Sequence, residues 1–97
     1  MAKAPSQIMQ RLVLQPGHIL FNEGEFGNEA YVIQAGRVEI VKIQGDEELV
    51  LGAVEKGGIF GEMALIDSRP RMAMARAAAA TTVVVIPRDL FSSKVAK

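Results

Sequence analysis

The stretch FGEMALIDSRPRMA, residues 60–73, places a glycine, a carboxylate, a short apolar turn and a Pro-Arg pair within fourteen residues. Backbone N–H groups at the start of a short helix, together with one nearby arginine, suit a phosphate group. A carboxylate would repel a phosphate, but Glu62 makes sense here if the ligand also carries a hydroxyl group. The pattern therefore indicates a nucleotide with an accessible sugar hydroxyl.

Outside this stretch, short apolar runs alternate with turn signals that contain glycine. β-Branched residues in several runs favour strands, and the glycines and prolines mark the turns between them. The predicted strands lie at 11–15, 18–21, 30–34, 37–44, 47–54, 73–79 and 82–86. Seven or eight short strands with one brief helical turn are typical of a β-roll or jelly roll.

Residues 60–73 resemble the phosphate-binding cassette of the cyclic nucleotide-binding domain family. The resemblance rests on the Phe-Gly-Glu opening, the Met-Ala-Leu-Ile turn, the pair Pro70-Arg71 and the nine-residue step from Glu62 to Arg71. A second block agrees with the family, namely EGEFGN at 23–28, AYVI at 30–33, Gly36 and VEI at 38–40. The resemblance extends from about residue 13 to residue 91, which is most of the chain.

The resemblance implies a mainly β fold. This fold is an eight-stranded β-roll or jelly roll with a short cassette helix, and the cassette at 60–73 lies between the sixth and seventh strands. The whole chain, 1–97, is then a single cyclic nucleotide-binding domain. Residues 1–10 would be a lead-in, and 88–97 would be the start of a truncated C-terminal helix.

Two charged residues of the cassette receive specific roles from the resemblance. The family arginine that matches Arg71 pairs with the exocyclic oxygens of the cyclic phosphate, where a guanidinium fork can contact two oxygens at once. Glu62 matches the glutamate that accepts a hydrogen bond from the ribose 2′-hydroxyl. The residues alone also allow a solvated arginine at a strand edge and a carboxylate that merely favours the helix dipole.

Backbone contacts to the ligand are expected from Gly61, Met63 and Ala64. Gly61 would let the chain pass close to the sugar, although it could instead simply end a strand. Met72 stands where family members that favour cyclic GMP carry a threonine, and its thioether is a weak acceptor without a hydroxyl. Its backbone N–H could still reach the phosphate. The expected ligand is therefore cyclic AMP, with cyclic GMP as the alternative, and no cofactor is expected.

Several other residues are expected to be structural. Gly24, Gly27 and Gly36 match turn glycines of the family, and we expect each to adopt a positive φ that a side chain would disfavour. Arg69 and Arg76 lie near the cassette in sequence and are expected to be surface charges.

Composition excludes several other classes of function. A length of 97 residues suits one domain with a single core. A net charge of zero argues against a general attraction to nucleic acid or to an anionic membrane. The chain has no cysteine and a single histidine, His18, so neither thiol chemistry nor a multi-histidine metal site is expected. The sequence shows no signal peptide and no membrane-spanning run, which predicts a cytoplasmic location.

The residues and the resemblance together favour a non-catalytic regulatory domain that binds a cyclic nucleotide. Its output would pass to a fused or docked effector, such as a channel, a kinase or a transcription regulator, and the domain itself would contact neither nucleic acid nor membrane. The main alternative is a β-roll interaction module that binds no nucleotide. A cupin-type enzyme would need a histidine cluster around a metal. A regulator of the catabolite activator type would need a helix-turn-helix after the β-roll.

Overall fold

The computed structural model describes residues 10–62 and 69–88. These residues form eight strands: β1 (Arg11–Leu14), β2 (Ile19–Phe21), β3 (Glu29–Ala35), β4 (Arg37–Gln44), β5 (Glu47–Glu55), β6 (Ile59–Phe60), β7 (Met74–Ala77) and β8 (Thr81–Pro87). The predicted mainly β fold is confirmed. The cassette helix, the predicted lead-in apart from its last residue and the predicted C-terminal helix beyond its first residue lie outside the described residues.

The strands pair into two antiparallel four-stranded sheets, with the orders β1-β8-β3-β6 and β2-β7-β4-β5. The core lies between the sheets, because its buried side chains come from both. The first sheet contributes Ile33 and Val83, and the second contributes Val38 and Ala77. β8 is a continuous run of β-branched residues that ends at Pro87, and Thr81, Val83 and Val85 are buried while the residues between them are partly exposed. This alternation of burial is that of a strand with one covered face.

The cassette occupies the connection between β6 and β7. The sixth strand has only two residues, which pair with Tyr31 and Val32 of β3. Two residues are too few to show an alternating pattern, so no separate strand was predicted here. Because β6 ends at Phe60 and β7 begins at Met74, residues 60–73 join the sixth strand to the seventh. This is the position that the family resemblance implied.

The seventh strand is shorter than predicted. It spans Met74–Ala77 instead of 73–79, because the chain bends over residues 78–80 before β8. The buried Thr81 hydroxyl lies 2.8 Å from the carbonyl oxygen of Ala79 in that bend. This hydrogen bond ties the bend to the first residue of β8.

The turn glycines differ in backbone conformation and in the contacts that they allow. Gly24 and Gly36 have φ values of 89° and 98°, as predicted. Gly27 is not among the glycines with a positive φ, so the prediction for this residue is wrong. A Cβ atom on Gly27 would lie 2.4 Å from Nη2 of Arg71. Gly27 therefore allows the close approach of a side chain and is not needed for an unusual turn.

Candidate functional site

A pocket of about 350 Å³ opens beside the segment that joins β6 to β7. The segment contributes Gly61, Glu62 and residues 69–73 to the lining, and the strands contribute Phe21, Ile40, Leu51, Ile59 and Phe60. The strands thus supply an apolar wall, and the segment supplies charged side chains and exposed backbone. An apolar pocket with a few convergent polar groups is the usual form of a small-molecule site.

Four of the six predicted site residues line this pocket, and they are Gly61, Glu62, Arg71 and Met72. The other two, Met63 and Ala64, lie outside the described residues. Gly61 follows β6 directly and has a φ of 78°. A Cβ atom at this position would lie 2.9 Å from Nη1 of Arg71, so the glycine brings the backbone against the guanidinium.

Arg71 is held below the surface by backbone carbonyl groups. It is 8% exposed. Its Nη1 donates to the carbonyl oxygen of Gly61 at 3.1 Å, and its Nη2 donates to the carbonyl oxygen of Glu29 at 3.0 Å. The alternative interpretation of Arg71 as a solvated residue at a strand edge is therefore wrong. The guanidinium is thus held in place by two backbone carbonyl groups of the protein itself.

Among the described residues, no acidic side chain forms an ion pair with Arg71. Within residues 10–62 and 69–88, the ion pairs involve Arg37, Lys42 and Arg76, and none involves Arg71. A buried cation without a counter-charge is costly, and carbonyl dipoles offset only part of that cost. A guanidinium has five N–H donors, of which these two hydrogen bonds use two. Arg71 is therefore suited to bind an anion.

An aromatic ring supports the guanidinium from one face. Cζ of Arg71 lies 4.1 Å from the centroid of the Phe21 ring, which is a cation–π contact. Phe21 packs in turn against Tyr31 and Phe60, with centroid distances of 6.1 Å and 6.2 Å. The ring cluster continues into the core, so Phe21 is a firm support. Sequence reasoning missed this residue because β2 and the cassette are distant in the chain and no motif links them.

The main chain of Arg71 is bound to the loop between β2 and β3. Its N–H donates to the carbonyl oxygen of Glu25 at 2.8 Å, and its carbonyl oxygen accepts the N–H of Gly24 at 2.8 Å. The backbone N–H of Arg71 is therefore occupied. Any backbone donor that contacts a ligand must come from another residue of the segment.

Lys42 secures the residue that follows Arg71. Its Nζ donates to the carbonyl oxygen of Met72 at 3.2 Å and forms an ion pair with Glu23 at 2.8 Å. These contacts join β4, the loop between β2 and β3, and the exit of the cassette. In the sequence, Lys42 is a polar residue within an apolar strand. This is the one feature of the sequence that indicates a contact such as those with Met72 and Glu23.

Glu29 and Tyr31 form a polar pair behind the arginine. The Tyr31 hydroxyl donates to Oε1 of Glu29 at 3.2 Å. Burial, with a smaller contribution from the nearby Glu29 carboxylate, raises the pKa of Tyr31 to about 12. The phenol therefore remains neutral at physiological pH and keeps its proton for this hydrogen bond. The Glu29 side chain is thus engaged while its carbonyl oxygen accepts from Arg71.

Glu62 lines the pocket and is partly exposed. No side chain or backbone N–H of the described residues donates to its carboxylate. An ionised carboxylate is purely an acceptor, so Glu62 can receive a hydrogen bond from a hydroxyl group in the pocket. The dipole interpretation of this residue stays open, because the helix that it would precede is outside the described residues.

The remaining arginines near the cassette are placed differently. Arg69 is exposed, as predicted, and borders the pocket. Arg76 does not line the pocket, and its guanidinium pairs with Glu48 at 2.9 Å and with Glu39 at 3.4 Å. Arg76 is therefore part of an ion-pair cluster on the sheet, whereas the sequence suggested a simple surface charge.

Residues 10–62 and 69–88 contain no group of three or more acidic or histidine side chains that could hold a metal ion. None of these residues belongs to a helix with the length and apolar character needed to cross a membrane.

The fold is that of a known family. The sequence profile of the cyclic nucleotide-binding domain matches residues 11–97, and this chain belongs to that family. The resemblance drawn from residues 60–73 is thereby confirmed. The chain is 34% identical over 70 residues to a cAMP-dependent protein kinase regulatory subunit of Blastocladiella emersonii, a match that covers 71% of this chain and 17% of the relative.

A second relative and a solved structure are also similar to this chain. A cGMP-dependent protein kinase of Eimeria tenella is 40% identical over 76 residues, which covers 78% of this chain and 7% of the kinase. The cAMP-bound form of the EAL enzyme Bd1971 superposes with a TM-score of 0.86 at 35% identity, covering 91% of this chain and 24% of that one. The chain thus spans less than a quarter of the length of each of these proteins.

Proposed function

We propose that this chain is a non-catalytic regulatory domain that binds a cyclic nucleotide, with cyclic AMP as the preferred ligand. The observation that carries the proposal is the buried guanidinium of Arg71. It has no acidic partner among the described residues and borders a pocket that also contains Glu62. A cyclic phosphate would supply the missing negative charge, and the ribose would supply the hydroxyl group.

The phosphate would lie against Arg71 and the backbone of the cassette. The fixed guanidinium loses little conformational entropy on binding, which favours a strong charge-assisted contact. The Arg71 N–H is occupied by Glu25, so we assign the backbone donors to Gly61, Met63, Ala64 and Met72. The apolar wall of β2, β4 and β5 would face the less polar parts of the nucleotide.

Met72 supports the preference for cyclic AMP. It carries no hydroxyl group, and its side chain is 71% exposed at the pocket. A guanine would find no hydroxyl partner at this position. The related EAL enzyme Bd1971 has been solved in both a cAMP-bound and a cGMP-bound form, so both nucleotides belong in any test.

The regulatory role follows from what binding can change. A ligand shifts a protein between two states only through its different affinity for them. The relatives are named as a kinase regulatory subunit, a kinase and an EAL enzyme, each longer than this chain. We therefore assign the output to a fused or docked effector. A channel, a kinase or a transcription regulator would each fit, and the predicted cytoplasmic location stays a prediction.

The role of Glu62 can be tested by removing the ribose hydroxyl. The unmodified chain should bind cyclic AMP about 10- to 100-fold more tightly than 2′-deoxy cyclic AMP, since a hydrogen bond to a charged group contributes about 1.5–3 kcal/mol. In the Glu62→Ala variant the two ligands should bind within about twofold of each other. Calorimetric titration of both proteins with both ligands measures this.

Glu47→Ala is the matched control, because it removes the same charge from an exposed position at the start of β5. It should keep the full preference for the ribose ligand. Equal binding of the two ligands by the unmodified chain would contradict the ribose contact. An undiminished preference in Glu62→Ala would show that another group receives the hydroxyl.

A further inference from the structure

The guanidinium of Arg71 lies in a narrow slot that is closed on three sides. The Phe21 ring covers one face at 4.1 Å. Gly27 and Gly61 border the group so closely that a Cβ atom on either would lie 2.4 Å from Nη2 or 2.9 Å from Nη1. These distances are shorter than ordinary contacts between non-bonded heavy atoms. The slot therefore fits the guanidinium only while both neighbours lack a side chain.

Gly27 contacts Arg71 from outside the pocket. Gly61 and Phe21 line the pocket and could touch a ligand directly, whereas Gly27 is not part of the lining. The φ of Gly27 is one that other residues adopt. A change from glycine to alanine here therefore adds one methyl group beside the guanidinium without straining the backbone. Any effect on a ligand in the pocket has to pass through Arg71.

The surrounding main chain leaves the side chain as the part that moves. The loop before Gly27 is joined to Arg71 by the two backbone hydrogen bonds of Gly24 and Glu25, each 2.8 Å long. A methyl group on Gly27 would meet the whole guanidinium group, with Nη2 at 2.4 Å, Cζ at 3.0 Å and Nε at 3.1 Å, and all three atoms belong to a side chain. Relief therefore comes from a shift of the guanidinium as a unit, which also breaks the 3.0 Å hydrogen bond from Nη2 to the carbonyl oxygen of Glu29.

We propose that Gly27 is a positioning residue for the anion site. By lacking a Cβ atom, it lets the Arg71 guanidinium lie against Phe21 with both of its terminal nitrogens bonded to backbone carbonyls. The orientation of the phosphate-binding group is thus fixed from behind by the loop between β2 and β3. This inference rests on the proposed role of Arg71 in binding the cyclic phosphate.

The test is the Gly27→Ala variant, titrated with cyclic AMP. We expect its affinity to fall by about tenfold or more, because a charged hydrogen-bonding group is moved by about an ångström from its binding position. Gly52→Ala is the matched control. Gly52 also has an ordinary φ, and a Cβ atom there would meet nothing within 4 Å. This control should bind within about twofold of the unmodified chain.

A second readout follows Arg71 itself in the ligand-free protein. In a nitrogen-15 correlation spectrum, the Nε–Hε signal of Arg71 is the one that disappears in Arg71→Ala. This signal should move in Gly27→Ala by more than the signal of any other arginine, and it should stay in place in Gly52→Ala. The melting temperature of Gly27→Ala should fall only modestly below that of Gly52→Ala, because one hydrogen bond of Arg71 is lost while the loop keeps its own backbone hydrogen bonds.

Three other results would overturn the inference that Gly27 positions Arg71. Gly27→Ala could bind cyclic AMP as tightly as Gly52→Ala, or it could bind weakly with an unmoved Arg71 signal. Either result would show that Gly27 does not act through Arg71. A much lower melting temperature for Gly27→Ala would show that the loop yields instead. If the unmodified chain binds no cyclic nucleotide, the proposed function fails, while the ligand-free spectra still decide whether Gly27 positions Arg71.

Discussion

Replacing Arg71 with alanine should lower the affinity for cyclic AMP by about 100-fold or more. Truncating one partner of a buried charge pair costs about 2–5 kcal/mol of binding free energy, and 1.4 kcal/mol corresponds to tenfold. The proposed contact would be of this kind because Arg71 is 8% exposed and its guanidinium is oriented by two carbonyl groups. Calorimetric titration of the variant and the unmodified chain measures the loss.

The variant should remain folded, which separates a lost contact from a lost structure. Alanine leaves the carbonyl groups of Gly61 and Glu29 without this donor, but it also removes a buried charge that has no acidic partner among the described residues. These two effects oppose each other. Thermal melting followed by circular dichroism checks the fold.

Arg37→Ala is the matched control for this experiment. Arg37 carries the same charge but forms an exposed ion pair with Glu55 on the edge of the second sheet. Exposed pairs contribute about 0–1 kcal/mol, so the control should bind cyclic AMP within about twofold of the unmodified chain. Equal binding by Arg71→Ala and Arg37→Ala would contradict the assignment of Arg71 to the phosphate.

Replacing Gly36 with alanine should destabilise the fold by about 3 kcal/mol. Gly36 links β3 to β4 with a φ of 98°, a conformation that costs other residues about 1–2 kcal/mol. A Cβ atom there would also lie 2.4 Å from the carbonyl oxygen of Ala80 and 2.4 Å from the Thr81 hydroxyl. Overpacking of this kind adds about 1–3 kcal/mol. Urea unfolding measures the change in the free energy of unfolding.

Gly17→Ala separates the two contributions. Gly17 has a φ of 88°, but a Cβ atom there would meet nothing within 4 Å. This control should lose only the conformational part, about 1–2 kcal/mol. Equal losses of unfolding free energy in Gly36→Ala and Gly17→Ala would show that the chain at Ala80 and Thr81 shifts easily. This result would contradict the close packing of these residues against Gly36.

The sequence predicted the parts of the fold that have a local pattern. The long strands β4 and β8 show β-branched runs between turn signals, and their positions agree with the structure within a residue or two. β6 has two residues and takes its place by pairing with β3, which leaves no local pattern to find. The early end of β7 depends on the bend over 78–80, and the alanines there favour helix by propensity, which gives no sign of a bend.

The candidate site likewise contains residues that the sequence predicted and contacts that it did not. The sequence predicted ligand contacts for Arg71 and Glu62 through the family resemblance, which depends on the residues of the cassette and their spacing. It did not identify the partners of Arg71, because a backbone carbonyl such as that of Glu29 can belong to any residue. Gly27 was predicted to have a positive φ because it matches a turn glycine of the family, and glycine adopts that conformation without a steric penalty. Its contact with the guanidinium depends on tertiary packing, which no local pattern records.

The proposed binding of a cyclic nucleotide therefore depends on two groups in one pocket. Arg71 would bind the phosphate, and Glu62 would accept a hydrogen bond from the ribose hydroxyl. The fold places the arginine on a core aromatic ring and between backbone carbonyls. It leaves the carboxylate of Glu62 without a donor from the described residues. A nucleotide that carries both an anionic phosphate and a free 2′-hydroxyl would satisfy the two groups together, as proposed.

The most direct test is a calorimetric titration of the unmodified chain with cyclic AMP, with cyclic GMP titrated in parallel. The account predicts saturable binding at one site per chain, with cyclic AMP bound more tightly than cyclic GMP. A folded chain that takes up neither nucleotide would contradict the proposed function and would favour an interaction module built on the same β-roll.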